Sequence, residues 1–248
     1  MFTPAKTDKT IYAPCKWQEF GYYSLLKAEL ARVLNARLNM VYGDFLLKLG
    51  DLSAEFDFAE NHLRQALHLT SKLHPQHNNV VTHPYQLPLQ EHAIDAALLL
   101  HVLDFVADPH LLLRECERVL RSDGYLVISG LNPLSRAGMW RYSPFYQQHP
   151  LKQARFFSVH RVKEWLNVLG FAIKHVDYIH VPNVFSQHSG DGLVSKTSKR
   201  LEWMNSVYVI VAQKSEIPLS LVKPKLAKFK PRLQAVPASM RHLKGQSE

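Results

Sequence analysis

The run IDAALLLH at residues 94–101 constrains the fold more than any other stretch, because six of its eight positions are apolar with no helical or alternating gap. A segment of that length, bounded by polar residues, satisfies both of its faces only as a strand covered on each side, the situation of an interior strand in a parallel sheet. The longest near-apolar run, 96–106, is interrupted by His101 and Asp104 and is too short to span a bilayer. The flanking patterns alternate. Leu26, Leu30, Val33, Leu34 and Leu38 form a helical stripe, and 45–49 reads as a short strand stopped by Gly50. Residues 52–66 are ambiguous, with a weak helical signal in AENHLRQAL, and 67–70 and NNVVT up to Thr82 read as strands. Asp108 and Pro109 open a helix with Leu112, Cys116 and Val119 inward, and YLVISG follows as a strand. A helix capped by Ser158, with Val162, Trp165, Leu166 and Leu169 inward, ends at Gly170. Strands at 171–180 and 207–212 close the pattern. The alternation predicts an α/β fold, an open doubly wound, mostly parallel seven-stranded sheet with helices on both faces. It divides the 248 residues into an N-terminal helical extension at 1–40, a main domain at 41–213 with inserts near 134–155 and 183–203, and a tail at 214–248.

Charge is concentrated in that tail. Residues 214–248 carry eight basic side chains against two acidic ones, a net of +6 within the chain's +9, together with four prolines and no sustained apolar period. This composition predicts a disordered basic tail, either solubilising or suited to RNA or another anionic partner. Two cysteines, Cys15 and Cys116, exclude a disulfide framework, and with no apolar leader segment ahead of Cys15 the sequence predicts a soluble, cytoplasmic protein. The 14 histidines, including the HPQH motif at 74–77 with His68 and His83 nearby, lack the clustered cysteines or spaced carboxylate of a metal site, so no metal is expected. Cys116 lies on the buried stripe of its helix and is not expected to act as a nucleophile.

Open α/β sheets bind ligands at the carboxyl ends of their strands, which directs attention to FLLKLGDLSAEF at 45–56 and to the end of the 94–101 strand. The block LPLQEHAIDAALLLHVLDFVADPHLLLRECERVLRSDGYLVISGLNP at 87–133 resembles the class I S-adenosylmethionine-dependent methyltransferases, specifically the methyltransferase type 11 group. The resemblance rests on Leu87-Pro88-Leu89 before Asp95, on His101-Val102-Leu103, on Arg114, Glu115, Arg118, Val119 and Leu120, and on Asn132-Pro133. It extends over roughly 40–213 and implies a Rossmann-like sheet with an antiparallel last strand, S-adenosylmethionine as cofactor and an acceptor that the sequence does not identify. Asp95, Glu115 and Arg118 are read as scaffold residues, and Asn132 as a lock on the loop after the fifth strand.

In the cofactor loop that the resemblance implies, Gly50 stands at the first glycine of the family pattern, Leu52 and Ala54 replace the second and third, and Lys48 occupies the position of an acid. The second strand ends without the family's ribose-binding acid, and His83 stands where another acid would meet the adenine amine. Leu49, Gly50, Asp51, Ser53, His83, Pro84 and Leu100 are the candidate cofactor contacts, and His101 is the candidate base or acceptor-orienting residue. Two functions follow from these changes: a methyltransferase that holds its cofactor in a modified way, or a non-catalytic protein on the same fold that engages RNA or a protein partner. The insert LSRAGMWRYSPFYQQHPLKQARFF, which mixes Arg136, Arg141, Lys152 and Arg155 with Trp140, Tyr142, Phe145 and Tyr146, reads as a lid over an apolar substrate or as a nucleic-acid surface.

Overall fold

A computed structural model describes residues 5–7, 11, 13–21, 23–39, 41–56, 62–72, 79–135, 138–139, 150–181 and 205–215. After a 3-10 turn at Trp17–Glu19 come helix α1 (Tyr23–Leu38), strand β1 (Tyr42–Leu49), a one-turn helix α2 (Asp51–Ala54), β2 (His62–Thr70) and β3 (Asn79–Val81). The second half contributes β4 (Ile94–Leu100), a one-turn helix α3 (Val102–Phe105), α4 (Pro109–Val119), β5 (Leu120–Leu131), a 3-10 turn at Pro150–Gln153, α5 (Val159–Val168), β6 (Phe171–Ile179) and β7 (Val207–Lys214). The strands form one seven-stranded sheet in the order β3-β2-β1-β4-β5-β7-β6.

All seven residues of β4 are buried. The strand pairs in parallel with β1, from Leu46↔Ala96 to Leu49↔Leu99, and with β5, from Ala96↔Tyr125 to Leu100↔Ser129. Alternation along the strands separates two cores. Leu46, Leu98, Val127 and Val209 face the stripe of α1, while Leu47, Leu99, Ile128 and Ile210 face Leu112, Cys116, Val162 and Leu166 of α4 and α5. β7 runs antiparallel to both β5 and β6, as the resemblance implied.

Several boundaries differ from the sequence reading. Residues 62–66 are strand, not helix, because parallel pairing from Tyr42↔His62 to Leu49↔Leu69 supplies backbone partners that outweigh a weak local helical pattern. β5 starts at Leu120, five residues early. Its register with β4 shifts between Ile94 and Ala96, where Asp123 takes a left-handed φ of 65°. The N-terminal helix is no appendage: Leu26, Leu30, Leu34 and Leu38 belong to the sheet's core, and Arg37 makes a bidentate pair with Asp177 of β6 at 2.7 and 2.9 Å.

Scaffold locks hold the sheet where the sequence placed them. Asp95 accepts from the backbone N–H groups of Asp44 and Phe45 at 2.8 and 3.0 Å and from Arg121 at 2.8 Å, which ties β4 to β1 and β5 at the end opposite the ligand edge. Glu115 accepts from the N–H of Leu87 at 2.9 Å and pairs with Arg118, which donates to the carbonyls of Leu87 and Leu89. Asn132 donates to the carbonyl of Asn205 and accepts from the N–H of Leu134, fixing the loop after β5. No helix among the described residues is long and apolar enough to cross a membrane. Most of the basic and aromatic insert, the segment 182–204, the HPQH motif and nearly all of the basic tail lie outside the described residues.

The Arg118 hydrogen bond holds the Glu115 carboxyl below its ordinary value of 4.5, with the Leu87 N–H adding to the effect. A depressed carboxylate stabilises the fold above its unfolded value and loses that contribution as pH falls through the folded one. Glu115→Gln is therefore expected to lower the unfolding free energy by about 1–2 kcal/mol at neutral pH. In urea titrations at several pH values, wild type and variant should converge in acid.

Candidate active site

The carboxyl ends of β1, β2 and β4, with the turn after β3, border one cleft of about 600 Å³ that is partly open to solvent. β2 and β4 flank β1, so the chain reverses its direction of winding at this point, where loops diverge and leave a crevice. Leu49, Leu69, Leu100, Val102 and Phe105 give the cleft apolar walls, and Asp51, Thr70, Ser71 and Thr82 bring polar groups to it. Ala13 and Pro14 of the N-terminal segment also border it.

The loop after β1 explains how one glycine can serve where three were expected. Gly50 has φ +87°, and a Cβ there would approach Cγ2 of Val102 to 2.8 Å, so a side chain is excluded both by torsion and by space. Its N–H donates to the carbonyl of Leu69 at 2.8 Å. The chain then turns into α2, and Leu52 and Ala54 are buried there. Leu52 packs in the core that contains Trp17 and Phe56, and its carbonyl accepts from Trp17 Nε1 at 3.1 Å. The single helical turn thus replaces a glycine-rich ribbon with a hydrophobic plug. Lys48 donates to the carbonyl of Phe56 at 2.8 Å and is not among the residues that border the cleft.

Asp51, only 5% exposed, reaches from this loop to the end of β2 and accepts from Ser71 N at 3.2 Å and Ser71 Oγ at 2.9 Å. The thiol of Cys15 lies close by, 3.5 Å from Lys72 Nζ. Burial, followed by the negative charge of Asp51, raises the pKa of that thiol, so it is not an activated nucleophile.

His101 follows β4 in a left-handed conformation with φ 57° and is 1% exposed. Buried non-glycine residues in that region of torsion space are uncommon and cluster at functional sites. Its Nδ1 lies 2.8 Å from Asp104 Oδ2, and neither side chain touches solvent. Asp104 also accepts from the N–H of Leu131 at 3.0 Å. Burial pushes the Asp104 carboxyl above its ordinary value of 3.8, and the His101 and Leu131 hydrogen bonds oppose that rise. The ring of His101 packs beside Phe20 and edge-on to Trp17, at centroid distances of 5.1 and 6.1 Å. Its Nε2 is buried without a hydrogen-bond partner. The tautomer with Nδ1–H toward Asp104 leaves Nε2 as the ring's acceptor nitrogen.

Of the residues proposed from sequence, Leu49, Gly50, Asp51, Pro84, Leu100 and His101 border this cleft together. Ser53 and His83 do not. The Ser53 hydroxyl is fully buried and accepts from Leu100 N–H at 2.8 Å, tying α2 to β4. His83 is exposed, with its ring 5.0 Å from that of Tyr85, because a short bridge from His83 to Gln86 turns it away from the cleft. Sequence reasoning missed Ser71, Thr70, Asp104 and the covering segment with Ala13, Pro14, Trp17 and Phe20. The three-residue spacing of His101 and Asp104 was the available signal for one of them. Cys116 is fully buried, and burial pushes its thiol up to about 12. Among the described residues no group of three or more His, Cys, Asp or Glu side chains is placed to hold a metal ion.

Comparison with known proteins gives this geometry a context. The sequence model of a methyltransferase domain matches residues 44–128, the span from β1 to the middle of β5. An uncharacterized protein of Escherichia coli strain K12, YafS, is 35% identical over 245 residues, which cover 98% of this chain and 99% of that protein. Among solved structures, an S-adenosylmethionine-dependent methyltransferase from Thermotoga maritima aligns with TM-score 0.52 at 16% identity, covering 80% of this chain and 92% of its own. Another from Archaeoglobus fulgidus aligns with TM-score 0.52 at 16% identity, covering 77% and 94%.

Gly50→Ala forces an L side chain into a left-handed torsion and against Val102. A loss of about 1–3 kcal/mol in unfolding free energy is expected from the torsion alone, because φ 87° with ψ 157° is a conformation essentially confined to glycine. Val102→Ala should relieve the contact without recovering the torsional cost, so in denaturant titration Gly50→Ala should cost less in the Val102→Ala background than in wild type but still destabilise the chain.

Proposed function

The chain belongs to the class I S-adenosylmethionine-dependent methyltransferases, and on that footing we propose that it transfers a methyl group to an acceptor whose proton is taken by His101. The family's cofactor is S-adenosylmethionine, which supplies an electrophilic methyl group on a sulfonium when bound. The residues present fit such a group. Gly50 keeps the loop after β1 free of a side chain, Leu49, Leu69 and Leu100 offer apolar walls, and Asp51 places a carboxylate at the cleft. The ammonium of Lys48, held on the Phe56 carbonyl, stays out of the lining, where it would repel a cationic sulfonium.

The observation that carries the proposal is the buried His101–Asp104 pair, with an unpartnered Nε2 on a residue that borders the cleft. As the heteroatom of the acceptor gains the methyl group, its proton passes to Nε2. The imidazolium so formed faces the Asp104 carboxylate across 2.8 Å. Because the His101–Asp104 pair is itself shielded from water, a carboxylate that orients the ring and balances its charge favours this uptake. The acceptor is thus a molecule with a removable proton on the attacking atom. Leu49, Leu69, Leu100, Val102 and Phe105 give its surroundings an apolar character.

Calorimetric titration with S-adenosylmethionine and S-adenosylhomocysteine tests the first half. Micromolar affinity, around −8 kcal/mol, is expected, and no heat at millimolar ligand would count against the reading. His101→Gln should keep affinity for S-adenosylhomocysteine within about threefold. It should lower the transfer of labelled methyl into fractionated cell extract by roughly 10²–10⁴, the usual contribution of a positioned base. Transfer undiminished by His101→Gln would remove His101 from the mechanism.

A further inference from the structure

The geometry points to Arg155 as a latch that holds the N-terminal segment across the cleft, so that ligands enter and leave when the latch opens. The inference rests on the reading of the cleft as the cofactor site and concerns how that site is reached. Among the described residues of the segment, Thr7 donates its N–H to the carbonyl of Ala107 at 3.1 Å. Ala13 and Pro14 border the cleft, and Trp17 donates from Nε1 to the carbonyl of Leu52 at 3.1 Å. Ala107 follows Val106 on the β4 side of the cleft, and Leu52 lies in α2 on the β1 side. The segment therefore runs from one bank to the other.

Its two ends are secured by different means. On the β1 side, Trp17 and Phe20 are buried in the core that α1 covers. On the β4 side, Ala5, Lys6 and Thr7 are half-buried or exposed and belong to neither core, and Ile11 packs half-buried at the edge of the α1 core. Hydrogen bonds hold this outer end. Arg155 donates from Nη2 to the Ala5 carbonyl at 2.9 Å, and from Nη1 to the carbonyls of Val106 and Ala107 at 2.9 and 3.1 Å. Its own backbone N–H donates to the Asp104 carbonyl at 2.7 Å, and its guanidinium lies over the ring of Phe157, 4.9 Å from the centroid. The planar head is thus fixed to the turn after α3 and reaches from there to the N-terminal segment. Arg155 closes the basic and aromatic insert, yet at 6% exposure it joins parts of the fold and is no phosphate contact on a surface. An anchor of buried apolar surface yields only with the core, whereas hydrogen bonds that exchange for bonds to water open at small net cost. The segment accordingly opens from its β4 end and pivots ahead of Trp17.

Stopped-flow binding of S-adenosylhomocysteine to the full chain, as wild type, Arg155→Lys and Thr7→Pro, tests the latch. Lysine keeps the charge but loses the rigid fork that serves several carbonyls at once. Proline at position 7 removes the N–H that Ala107 accepts, at a residue outside both cores, so it keeps the test usable if Arg155→Lys folds poorly. A latch predicts that association and dissociation both quicken by at least about fivefold while Kd changes by less than about threefold, because access changes and the closed contacts do not. Faster dissociation alone would mark a lost ligand contact, and unchanged rates in folded variants would mean that the segment does not control access; either result overturns the latch. Tryptic cleavage after Lys9 needs no ligand, and its initial rate should rise at least about fivefold in both variants at unchanged circular dichroism. Equal cleavage in wild type and variants would overturn the latch whatever the ligand does. Failure of wild type to bind S-adenosylhomocysteine would overturn the cofactor reading, and the cleavage rates would then decide the latch by themselves.

Discussion

The burial of β4 on both faces is the constraint on which the rest of the structure depends. A strand whose seven residues are all excluded from water must be hydrogen-bonded on both edges and covered on both sides. β1 and β5 supply the edges, α1 supplies one cover, and α4 and α5 supply the other. Parallel pairing on both edges aligns the carboxyl ends of β1 and β4, and β2 joins them through β1. Loops leaving those ends diverge toward opposite faces, and the cleft is the space between them. The N-terminal segment borders that space through Ala13 and Pro14, and Trp17 and Phe20 anchor it in the same core as α1.

The site differs from a glycine-rich loop in the way it secures its shape. Only Gly50 needs the torsional freedom of glycine, since it alone must take φ +87° beside Val102. Beyond it, apolar burial takes over. Leu52 and Ala54 enter the core, the Ser53 hydroxyl closes on the N–H of Leu100, and Trp17 caps the Leu52 carbonyl. The loop is therefore fixed by packing, and Asp51 is presented at its edge with a defined direction. On the other side of β1, the turn after β4 carries His101 in a left-handed conformation that directs its ring toward Asp104 on the next turn of chain. The two polar features of the cleft sit on the two strands that its apolar walls share.

Much of this was legible in the sequence because it is written in periodicity. The apolar run at 94–101 and the stripes of α1, α4 and α5 depend on burial alone, and burial leaves a direct mark on residue pattern. The first half of β2 was not legible, because its state depends on pairing with β1, a partner some twenty residues away. Site residues divided along the same line. Leu49, Gly50, Asp51 and Leu100 follow from strand ends, and the structure places them on the cleft. Ser53 was a candidate cofactor contact in the loop that the resemblance implies, yet one turn of helix rotates it inward onto a backbone donor. His83 was assigned by position in an aligned pattern, and a local bridge turned it outward. Asp104 appeared in the sequence as an interruption of an apolar run. Its role as partner to His101 emerges only when the short helix α3 folds it back beneath the ring.

Hydrogen exchange followed by mass spectrometry, with and without saturating S-adenosylhomocysteine, tests the central claim that the cleft at the carboxyl ends of β1, β2 and β4 is the cofactor site. The account predicts slowed exchange confined to residues 49–54, 69–72, 82–84 and 100–106, with residues 43–45 and 121–124 at the opposite edge of the sheet unchanged. Protection centred on that opposite edge, or no change in exchange anywhere in the chain, would contradict it.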